Sequence, residues 1–357
     1  MPKIIFHIPM KIDRTRVSAS QIRPFKIIHA FKVSGYDIDI VEGYGAERRQ
    51  QIAEIKRNVR RGVKYDFLYS ESSTMPTLLT EKNHLPLYPF LDFSFFAFCK
   101  KHRIKIGLFY RDIYWCFTER GHESGKQRIA RYFYRYDLKR YAQLVDVLFL
   151  PSYQMLKHIP FHFPMRVEEL PSGLDLKFVN NLPQDLIHIL YVGGIGEHYN
   201  LEMITRVVSG LSHVKLTICC RQDEWEGVKE EYQSYLSNRI TILHAGGEEL
   251  EKLYQEANLF NLFVEPLKYW EFAAPFKLFE AIGHGCPVLA SNGTWVADFL
   301  KKQGGGYVCE YNEAALKELL SNLSLSELEE KREIVKTLAK RNTWSMRCEQ
   351  IRNALNV

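Results

Sequence analysis

Short apolar runs rich in β-branched residues alternate with longer amphipathic stretches along the whole chain. In the first half the predicted strands are KIIFHI, YDIDIVEG, YDFLYSES, IKIGLFYRD and VDVLFLPS, and the predicted helices cover residues 21–34, 47–61, 89–102 and 126–143. In the second half the predicted strands are LIHILYVGG, VKLTICC, RITILHA, LFNLFVEP, PVLAS and GYVCEY, and the predicted helices cover residues 200–210, 225–236, 248–257, 276–284 and 325–340. Such alternation is typical of parallel α/β units.

A break in this alternation lies near residue 180. The segment SGLDLKFVNNLPQD is rich in turn-forming residues, and the strand–helix pattern restarts directly after it. We therefore predict two doubly wound domains of similar size, residues 1–180 and 181–340, followed by a final helix over 341–357. Ligands bind doubly wound sheets at the carboxyl ends of the strands, so two such domains facing each other predict one central cleft.

Composition favours a cytoplasmic protein with reduced cysteines. The chain has 357 residues, of which 46% are hydrophobic, enough for two domain cores. No apolar run approaches the ~18 residues of a membrane span, and the run in MPKIIFHIPMKIDR is too short for a signal peptide. The 7 cysteines show no CxxC spacing, which argues against a zinc site and a disulfide framework.

Charge is divided unevenly between the halves. Residues 1–180 contain 30 Lys and Arg against 18 Asp and Glu, whereas the remaining residues contain 18 against 24. This favours an anionic partner for the first half, and the aromatic residues among its basic ones suit peripheral contact with the inner face of a membrane: Tyr132, Phe133, Tyr134 and Tyr136. Solvated helix faces explain the same pattern. Nucleic acid is disfavoured because no binding motif accompanies the basic residues.

The stretch EFAAPFKLFEAIGHGCPVLAS, residues 271–291, places Lys277 three residues before Glu280 in an otherwise apolar helix. Pro275 suits the first helical position. A helix start attracts anions, so Lys277 is expected to neutralise a diphosphate and Glu280 to accept hydrogen bonds from ribose hydroxyls. A simple salt bridge between the two residues is the alternative.

Glycines follow the first strand of the second half. In ILYVGGIGEHYN, Gly193, Gly194 and Gly196 stand where a backbone could approach a phosphate, but the spacing is not GxGxxG. The next strand ends at Arg221 rather than at an acidic residue, which disfavours a nicotinamide dinucleotide. Arg221 either holds phosphate or is a surface arginine among acidic neighbours.

The first half offers a second group of polar candidates. FYRDIYW places Arg111 and Asp112 at the end of a strand, where Asp112 either takes part in catalysis or caps the next turn. The loop RVSASQIRP is basic and rich in hydroxyl groups, so it either holds an acceptor or donor phosphate or is simply flexible. Its candidate residues are Arg14, Arg16, Ser18, Ser20 and Arg23.

The Pro-x-Lys-x-x-Glu pattern followed by AIGHGCPVLAS resembles the nucleotide-sugar site of GT-B glycosyltransferases, especially the large retaining bacterial family 4-like group. The segments VDVLFLPS, VEELPSGLD, RITILHAGGEELEKLYQEANLFNLFVEP and RNTWSMRCEQI match that pattern in order. The resemblance covers the whole chain and is strongest over residues 186–291. It implies an α/β fold of two Rossmann-like domains, an acceptor domain first and a donor domain second, with the final helix crossing back to the first domain.

The resemblance also implies the activity: transfer of a hexose from a UDP- or GDP-sugar to a glycan or lipid-linked acceptor, with retention, in bacterial surface polysaccharide or glycoconjugate assembly. It implies no cofactor and no metal, because protein cations can neutralise the diphosphate. The catalytic residues would be Asp112 and Lys277, and Arg111 would join the loop residues at the acceptor. The donor-binding residues would be Gly193, Gly194, Arg221, Gly246, Phe272, Ala273, Ala274, Lys277 and Glu280.

Two departures from the family pattern keep other functions open. Phe272 stands eight positions before Glu280, where the family commonly has a second glutamate, and Glu271 is one position off. The usual Arg and Lys after the first donor-domain strand are replaced by Gly194 and by Tyr199–Asn200, which moves diphosphate neutralisation onto Lys277 and Arg221. A nucleotide-sugar epimerase on the same fold and an inactive GT-B partner subunit are therefore the alternatives.

Overall fold

The computed structural model describes residues 1–13, 18–117, 124–178, 185–196 and 199–356. Packing divides the chain into two compact units. The first comprises Met1–Gly173 and Trp344–Val357, and the second comprises Leu174–Thr343. The acceptor role predicted for residues 1–180, the donor role predicted for residues 181–340 and the separate final segment 341–357 stay predictions.

The first unit is built on a parallel sheet of six described strands in the order β2-β1-β3-β4-β5-β6. The strands are β1 (Lys3–His7), β2 (Asp37–Val41), β3 (Phe67–Glu71), β4 (Lys105–Phe109), β5 (Val147–Leu150) and β6 (Arg166–Glu169). Strands β1, β3, β4 and β5 are almost wholly buried, which is typical of a parallel sheet covered on both faces.

Helices cover both faces of this sheet. They are α1 (Ala19–Val33), α2 (Gly45–Arg60), α3 (Leu91–Lys101) and α4 (Gly125–Leu144), with 3₁₀ turns at Thr77–Leu79, Tyr114–Cys116 and Tyr153–His158. The strand order and the right-handed rule for parallel crossovers put α2, α3 and α4 on one face and α1 on the other.

The C-terminal helix α12 (Trp344–Leu355) belongs to the first unit and packs on α1. Its Trp344 lies so close to Gly173 that a Cβ on the glycine would meet the indole at 2.6 Å. At the other end of the helix, Leu355 packs against Gly107 of β4. Ile351 lies between these contacts and is fully buried.

The second unit has a parallel sheet of six described strands in the order β12-β11-β10-β7-β8-β9. The strands are β7 (Ile187–Val192), β8 (Val214–Cys219), β9 (Ile240–Leu243), β10 (Leu259–Leu262), β11 (Val288–Ser291) and β12 (Gly306–Cys309). The helices are α5 (Glu202–Ser209), α6 (Gln222–Tyr232), α7 (Gly247–Glu256), α8 (Phe276–Gly283), α9 (Trp295–Gln303), α10 (Glu313–Asn322) and α11 (Leu325–Lys340), with 3₁₀ turns at Gln233–Tyr235 and Lys268–Glu271.

Two apolar clusters fill the space between this sheet and its helices. One contains side chains of α5, α6 and α10, such as Val208, Trp225 and Leu316. The other contains side chains of α8, α9 and α11, such as Leu278 and Val335. Both faces of the sheet are therefore covered, as in a doubly wound fold.

The predicted α/β class and two-sheet architecture are confirmed. The pattern missed α9 and α10, which are short and amphipathic. In the sequence, α9 lies between β11 and β12, and α10 follows β12. Pro275 is the N-cap of α8 rather than its first helical residue. No helix in the described ranges has the length and hydropathy needed to cross a bilayer.

Candidate functional site

The switch in strand order of the second unit lies between β7 and β10. These strands are neighbours, but β7 continues to β8 on one side and β10 continues to β11 on the other. Ligands bind doubly wound sheets at this point, outside the carboxyl ends of the strands. Gly193 directly follows β7, and α8 with Lys277 and Glu280 follows β10.

Lys277 reaches across this switch point from the first turn of α8. Its Nζ donates a hydrogen bond to Tyr191 Oη at 3.2 Å. The same atom lies 4.1 Å from the centre of the Tyr199 ring and 4.8 Å from that of the Tyr191 ring. The ammonium group is therefore held by two aromatic faces, which attract a cation through their quadrupoles.

Gly193 provides the room that this arrangement needs. Its φ of 146° is in a region that favours glycine, and a Cβ at this position would lie 1.7 Å from Lys277 Nζ. The sequence signal for close backbone approach was therefore real. In the structure the group approaching the glycine is the lysine itself.

Among the described residues, no carboxylate is paired with the ammonium of Lys277. Glu224 and Glu280 favour its charged form from a distance, but no carboxylate in the described chain forms an ion pair with it. Burial outweighs their attraction and lowers the pKa of Lys277 to about 8. The alternative of a salt bridge to Glu280 is therefore not what the structure has, and the site can gain free energy by binding an anion.

Glu280 is half-buried one turn further along α8. Burial raises its pKa to about 7, against the opposing effect of Lys177 and Lys277. The backbone of this turn is fixed by His284, whose Nδ1 donates to the Glu280 carbonyl at 2.8 Å. A carboxylate in such surroundings is a suitable acceptor for hydroxyl donors, because their hydrogen bonds replace the water that it has lost.

Arg221 is the N-cap of α6 and its side chain is 67% exposed. Its Nη1 donates to Glu224 Oε1 at 2.7 Å, and Glu224 Oε2 accepts from the backbone N–H of Ile195 at 3.3 Å. Gly194 is close by, since a Cβ there would lie 3.3 Å from Glu224 Oε2. Arg221 is thus paired with an acidic neighbour, and its predicted contact with phosphate stays a prediction.

The other predicted donor residues lie at two places. Phe272 and Ala273 are buried directly before α8, and Ala274 is half-buried beside them. Gly246 is the N-cap of α7, after the edge strand β9, and its missing Cβ faces open space. Gly246 therefore lacks the close contact that distinguishes Gly193.

In the first unit, Arg23 and Arg111 share one carboxylate. Glu71 ends β3 and is fully buried, accepting from Arg23 Nε at 3.2 Å and from Arg111 Nη2 at 2.9 Å. Arg23 also donates to the carbonyls of Leu170 and Pro171. The donors of Arg23 are thus occupied within the unit, and Arg111 is the more accessible guanidinium, with a side chain that is 10% exposed.

Asp112 caps the turn that follows β4. Its Oδ1 accepts from the backbone N–H of Ile113 at 2.6 Å and of Tyr114 at 3.1 Å. The capping role is therefore observed, and the catalytic role stays a prediction. At the start of α1, Oγ of the N-cap Ser18 and Oγ of Ser20 lie 3.1 Å apart, and Ser20 belongs to the helix and not to the predicted loop. The predicted phosphate ligands Arg14 and Arg16 lie outside the described residues.

Sequence reasoning missed the aromatic side chains at the β7–β10 switch. Tyr191 is fully buried at the end of β7, Tyr199 follows the glycines, and the Tyr199 ring contacts Trp270 with centroids 5.0 Å apart. The available signal was an aromatic residue where the family pattern has a cation. Tyr199 stands at that position, and its ring contacts the ammonium of Lys277.

Residues 174–341 match the family model of glycosyl transferases group 1. The matched residues lie in the second unit, which is therefore similar to a group 1 glycosyl transferase domain. This match confirms the predicted enzyme class, a glycosyltransferase. The site at the β7–β10 switch lies within the matched residues.

Solved structures show the same fold across the whole chain. Sucrose-phosphate synthase from Thermosynechococcus elongatus is 13% identical, with a TM-score of 0.62 and coverage of 100% of this chain and 98% of that one. Anabaena HepE in complex with UDP is 12% identical, with a TM-score of 0.66 and coverage of 99% of both chains. WaaG, a glycosyltransferase involved in lipopolysaccharide biosynthesis, is 14% identical, with a TM-score of 0.61 and coverage of 98% and 99%. These likenesses confirm the predicted GT-B fold.

No curated protein matches the chain. Within the described ranges, no group of three or more His, Cys, Asp and Glu side chains is placed to hold a metal ion.

Proposed function

We propose that the protein transfers a sugar from a nucleotide diphosphate sugar to a glycan or lipid-linked acceptor, with retention of configuration. The observation that carries the proposal is the half-buried ammonium of Lys277 at the β7–β10 switch, with which no carboxylate of the described ranges is paired. A diphosphate bound there supplies the missing negative charge. Glu280, one turn along the same helix, accepts hydrogen bonds from the ribose.

Catalysis at this site rests on position and charge. Lys277 and the N-terminus of α8 stabilise the diphosphate as it leaves, and this lowers the barrier because the leaving group gains charge in the transition state. Asp112 belongs to the other unit and assists the reacting sugar or the acceptor. Arg111 holds an anionic group of the acceptor.

Two neighbours guide the choice of donor and pathway. HepE has been solved with UDP and with UDP-glucose, so a UDP-sugar is the first donor to test, with GDP-sugars as the alternative. WaaG is involved in lipopolysaccharide biosynthesis, which supports a role in bacterial surface polysaccharide or glycoconjugate assembly. A lipid-linked acceptor would bring the protein to the inner face of a membrane.

The test compares two variants with two ligands by titration calorimetry. Lys277→Ala should weaken UDP or GDP about ten- to a hundredfold, because a hydrogen bond to a charged group contributes ~1.5–3 kcal/mol. The free nucleoside lacks phosphates and should be nearly unaffected. Glu280→Gln should weaken both ligands, since both contain the ribose, and a 2′-deoxy nucleotide should be less sensitive to this variant.

Lys302→Ala is the matched control, because Lys302 is an exposed lysine of α9 in the same unit. Equal losses of nucleoside and diphosphate affinity in Lys277→Ala would contradict the proposal and move the donor site towards Arg221. Incubation with donor alone distinguishes the alternatives: conversion of the donor sugar to its epimer without acceptor would indicate an epimerase. Absence of binding to every UDP-, GDP- and CDP-sugar would indicate an inactive partner subunit.

A further inference from the structure

Three large apolar side chains of the first unit are directed into solvent within one short segment. Leu85 is 52% exposed, Leu87 is 58% exposed and Phe90 is 75% exposed. Clustered exposure of large apolar side chains marks an interaction surface more often than single exposed residues do. Residues 82–90 contain no Asp or Glu.

The backbone of this segment is anchored at both ends, so the exposure has a structural cause. Glu81 Oε1 accepts from the backbone N–H of Gly45 at 2.6 Å, and the Tyr88 ring packs directly against the same glycine. Between these anchors, His84 adopts a φ of 56° and its N–H donates to the Glu81 carbonyl at 2.9 Å. The turn therefore presents Leu85 and Leu87 outward.

Helix α4 has a basic outer stripe. Arg128, Tyr132, Arg135 and Lys139 follow one another at intervals of four, three and four residues, which places them on one side of a helix. All four are exposed, and Tyr132 is 70% exposed. The one carboxylate of this helix, Asp137, is buried on the opposite side.

The apolar segment and the basic stripe belong to neighbouring elements. Phe90 immediately precedes α3, and Phe93 in the first turn of α3 contacts α4, with its ring 5.7 Å from that of Tyr136 and 5.8 Å from the guanidinium carbon of Arg140. Helices α3 and α4 both lie on one face of the first sheet.

We propose that Leu85, Leu87, Phe90 and the basic stripe of α4 together form a docking surface for an anionic lipid bilayer. The apolar side chains enter the boundary between headgroups and acyl chains, while the arginines and Lys139 contact lipid phosphates. A second copy of the chain would place cations against cations. A nucleic acid would leave the leucines and the phenylalanine in water, and it is the competing outcome in the test.

The docking surface does not depend on the proposed transferase activity, because vesicle binding is measured without either substrate. The full chain is sedimented with neutral phosphatidylcholine vesicles and with vesicles that also contain phosphatidylglycerol, over a series of salt concentrations. We expect binding to the anionic vesicles at low salt, which weakens as salt rises because exposed charges are screened.

Variants then test the named residues. Arg128→Glu combined with Arg135→Glu should weaken binding to anionic vesicles by at least about tenfold. The matched control, Lys302→Glu combined with Lys317→Glu, makes the same charge change on exposed lysines of the second unit and should bind like the wild type. Leu87→Ser combined with Phe90→Ser should weaken the salt-resistant part of binding.

Insertion is measured separately with Phe90→Trp, whose added fluorescence should shift to the blue on anionic vesicles. Equal binding of the stripe variant and its control would overturn the proposal, as would tighter binding to a DNA duplex than to the anionic vesicles. Circular dichroism and thermal unfolding of the same variants check folding. An unchanged fold assigns any loss of vesicle binding to the surface.

Discussion

The ammonium of Lys277 contacts the rings of Tyr191 and Tyr199 and lies against Gly193. This position is the switch in strand order between β7 and β10. Burial of Lys277 outweighs the attraction of Glu224 and Glu280 and lowers its pKa to about 8. A bound diphosphate reverses this balance, because an adjacent anion favours the charged lysine. Binding and protonation at this residue are therefore linked.

We predict that nucleoside diphosphate affinity falls as the pH rises above about 8. Below that pH, Lys277 is already charged in the free protein; above it, binding must take up a proton. The dissociation constant should then increase by up to about tenfold per pH unit. Calorimetry of UDP in buffers of different ionisation enthalpy measures the proton uptake. An identical pH dependence in Lys277→Ala would contradict this assignment.

Gly193→Ala should impair donor binding through Lys277. The added Cβ would lie 1.7 Å from Nζ, so the lysine must leave its position. Gly196→Ala is a matched control, because Gly196 has a similar φ of 139° but no atom of the described residues lies within 4 Å of the added Cβ. Both variants should lose ~1–3 kcal/mol of stability through backbone strain. Only Gly193→Ala should also lose diphosphate affinity, and equal affinities in the two variants would be the contrary result.

At the scale of elements, the turn after β4 combines a structural role with a predicted functional one. Asp112 Oδ1 caps the 3₁₀ turn Tyr114–Cys116 by accepting two backbone hydrogen bonds. An asparagine keeps an acceptor oxygen at this position and removes only the charge. The substitution therefore separates the capping role from a role in catalysis.

We predict that Asp112→Asn retains nucleotide affinity and thermal stability but lowers turnover at least about tenfold, a barrier change of ~1.4 kcal/mol. Asp112→Ala removes the cap as well and should also lose ~1 kcal/mol of stability. Steady-state kinetics and thermal unfolding of both variants measure the two effects. Unchanged turnover in Asp112→Asn would leave Asp112 as a cap alone.

At the scale of the whole molecule, the chain completes its first unit with its last helix. Helix α12 follows the second unit in sequence, yet it packs on α1 and β4 of the first unit. Lys105 Nζ donates to the Leu355 carbonyl at 2.7 Å, and Arg347 Nε donates to the Ser172 carbonyl at 3.1 Å. The first unit therefore needs residues from both ends of the chain.

Ile351→Ala should destabilise the first unit by ~2–5 kcal/mol, because Ile351 is fully buried in α12 and the substitution leaves a cavity. Hydrogen exchange should increase in α1 and β4 but not in β7 or β10. The exposed neighbour Arg352 provides the control, since Arg352→Ala should have little effect. Equal loss of protection in both units would show that they do not unfold separately.

The period of apolar positions was sufficient for eleven of the twelve described strands and for most helices; it missed β6, a polar and partly exposed edge strand. Buried parallel strands such as β7 and β10 are continuous apolar runs, and burial on both faces requires that pattern. The pattern missed α9 and α10 because short amphipathic helices give few periods to detect. The chemical class was recognisable because Pro275, Lys277 and Glu280 keep a local spacing that resembles that of the family.

The sequence by itself determined the α/β class, the two sheets, and the segments that flank the β7–β10 switch. Only the tertiary structure decided which groups meet there. Tyr191 and Gly193 come from β7 and its turn, while Lys277 comes from α8, 86 residues after Tyr191 in the sequence. Contact across the switch depends on strand order, which local periodicity does not encode. Likewise, the buried Glu71 pairs with both Arg23 and Arg111 because the ends of β3 and β4 adjoin and α1 begins beside them, a consequence of packing rather than of spacing.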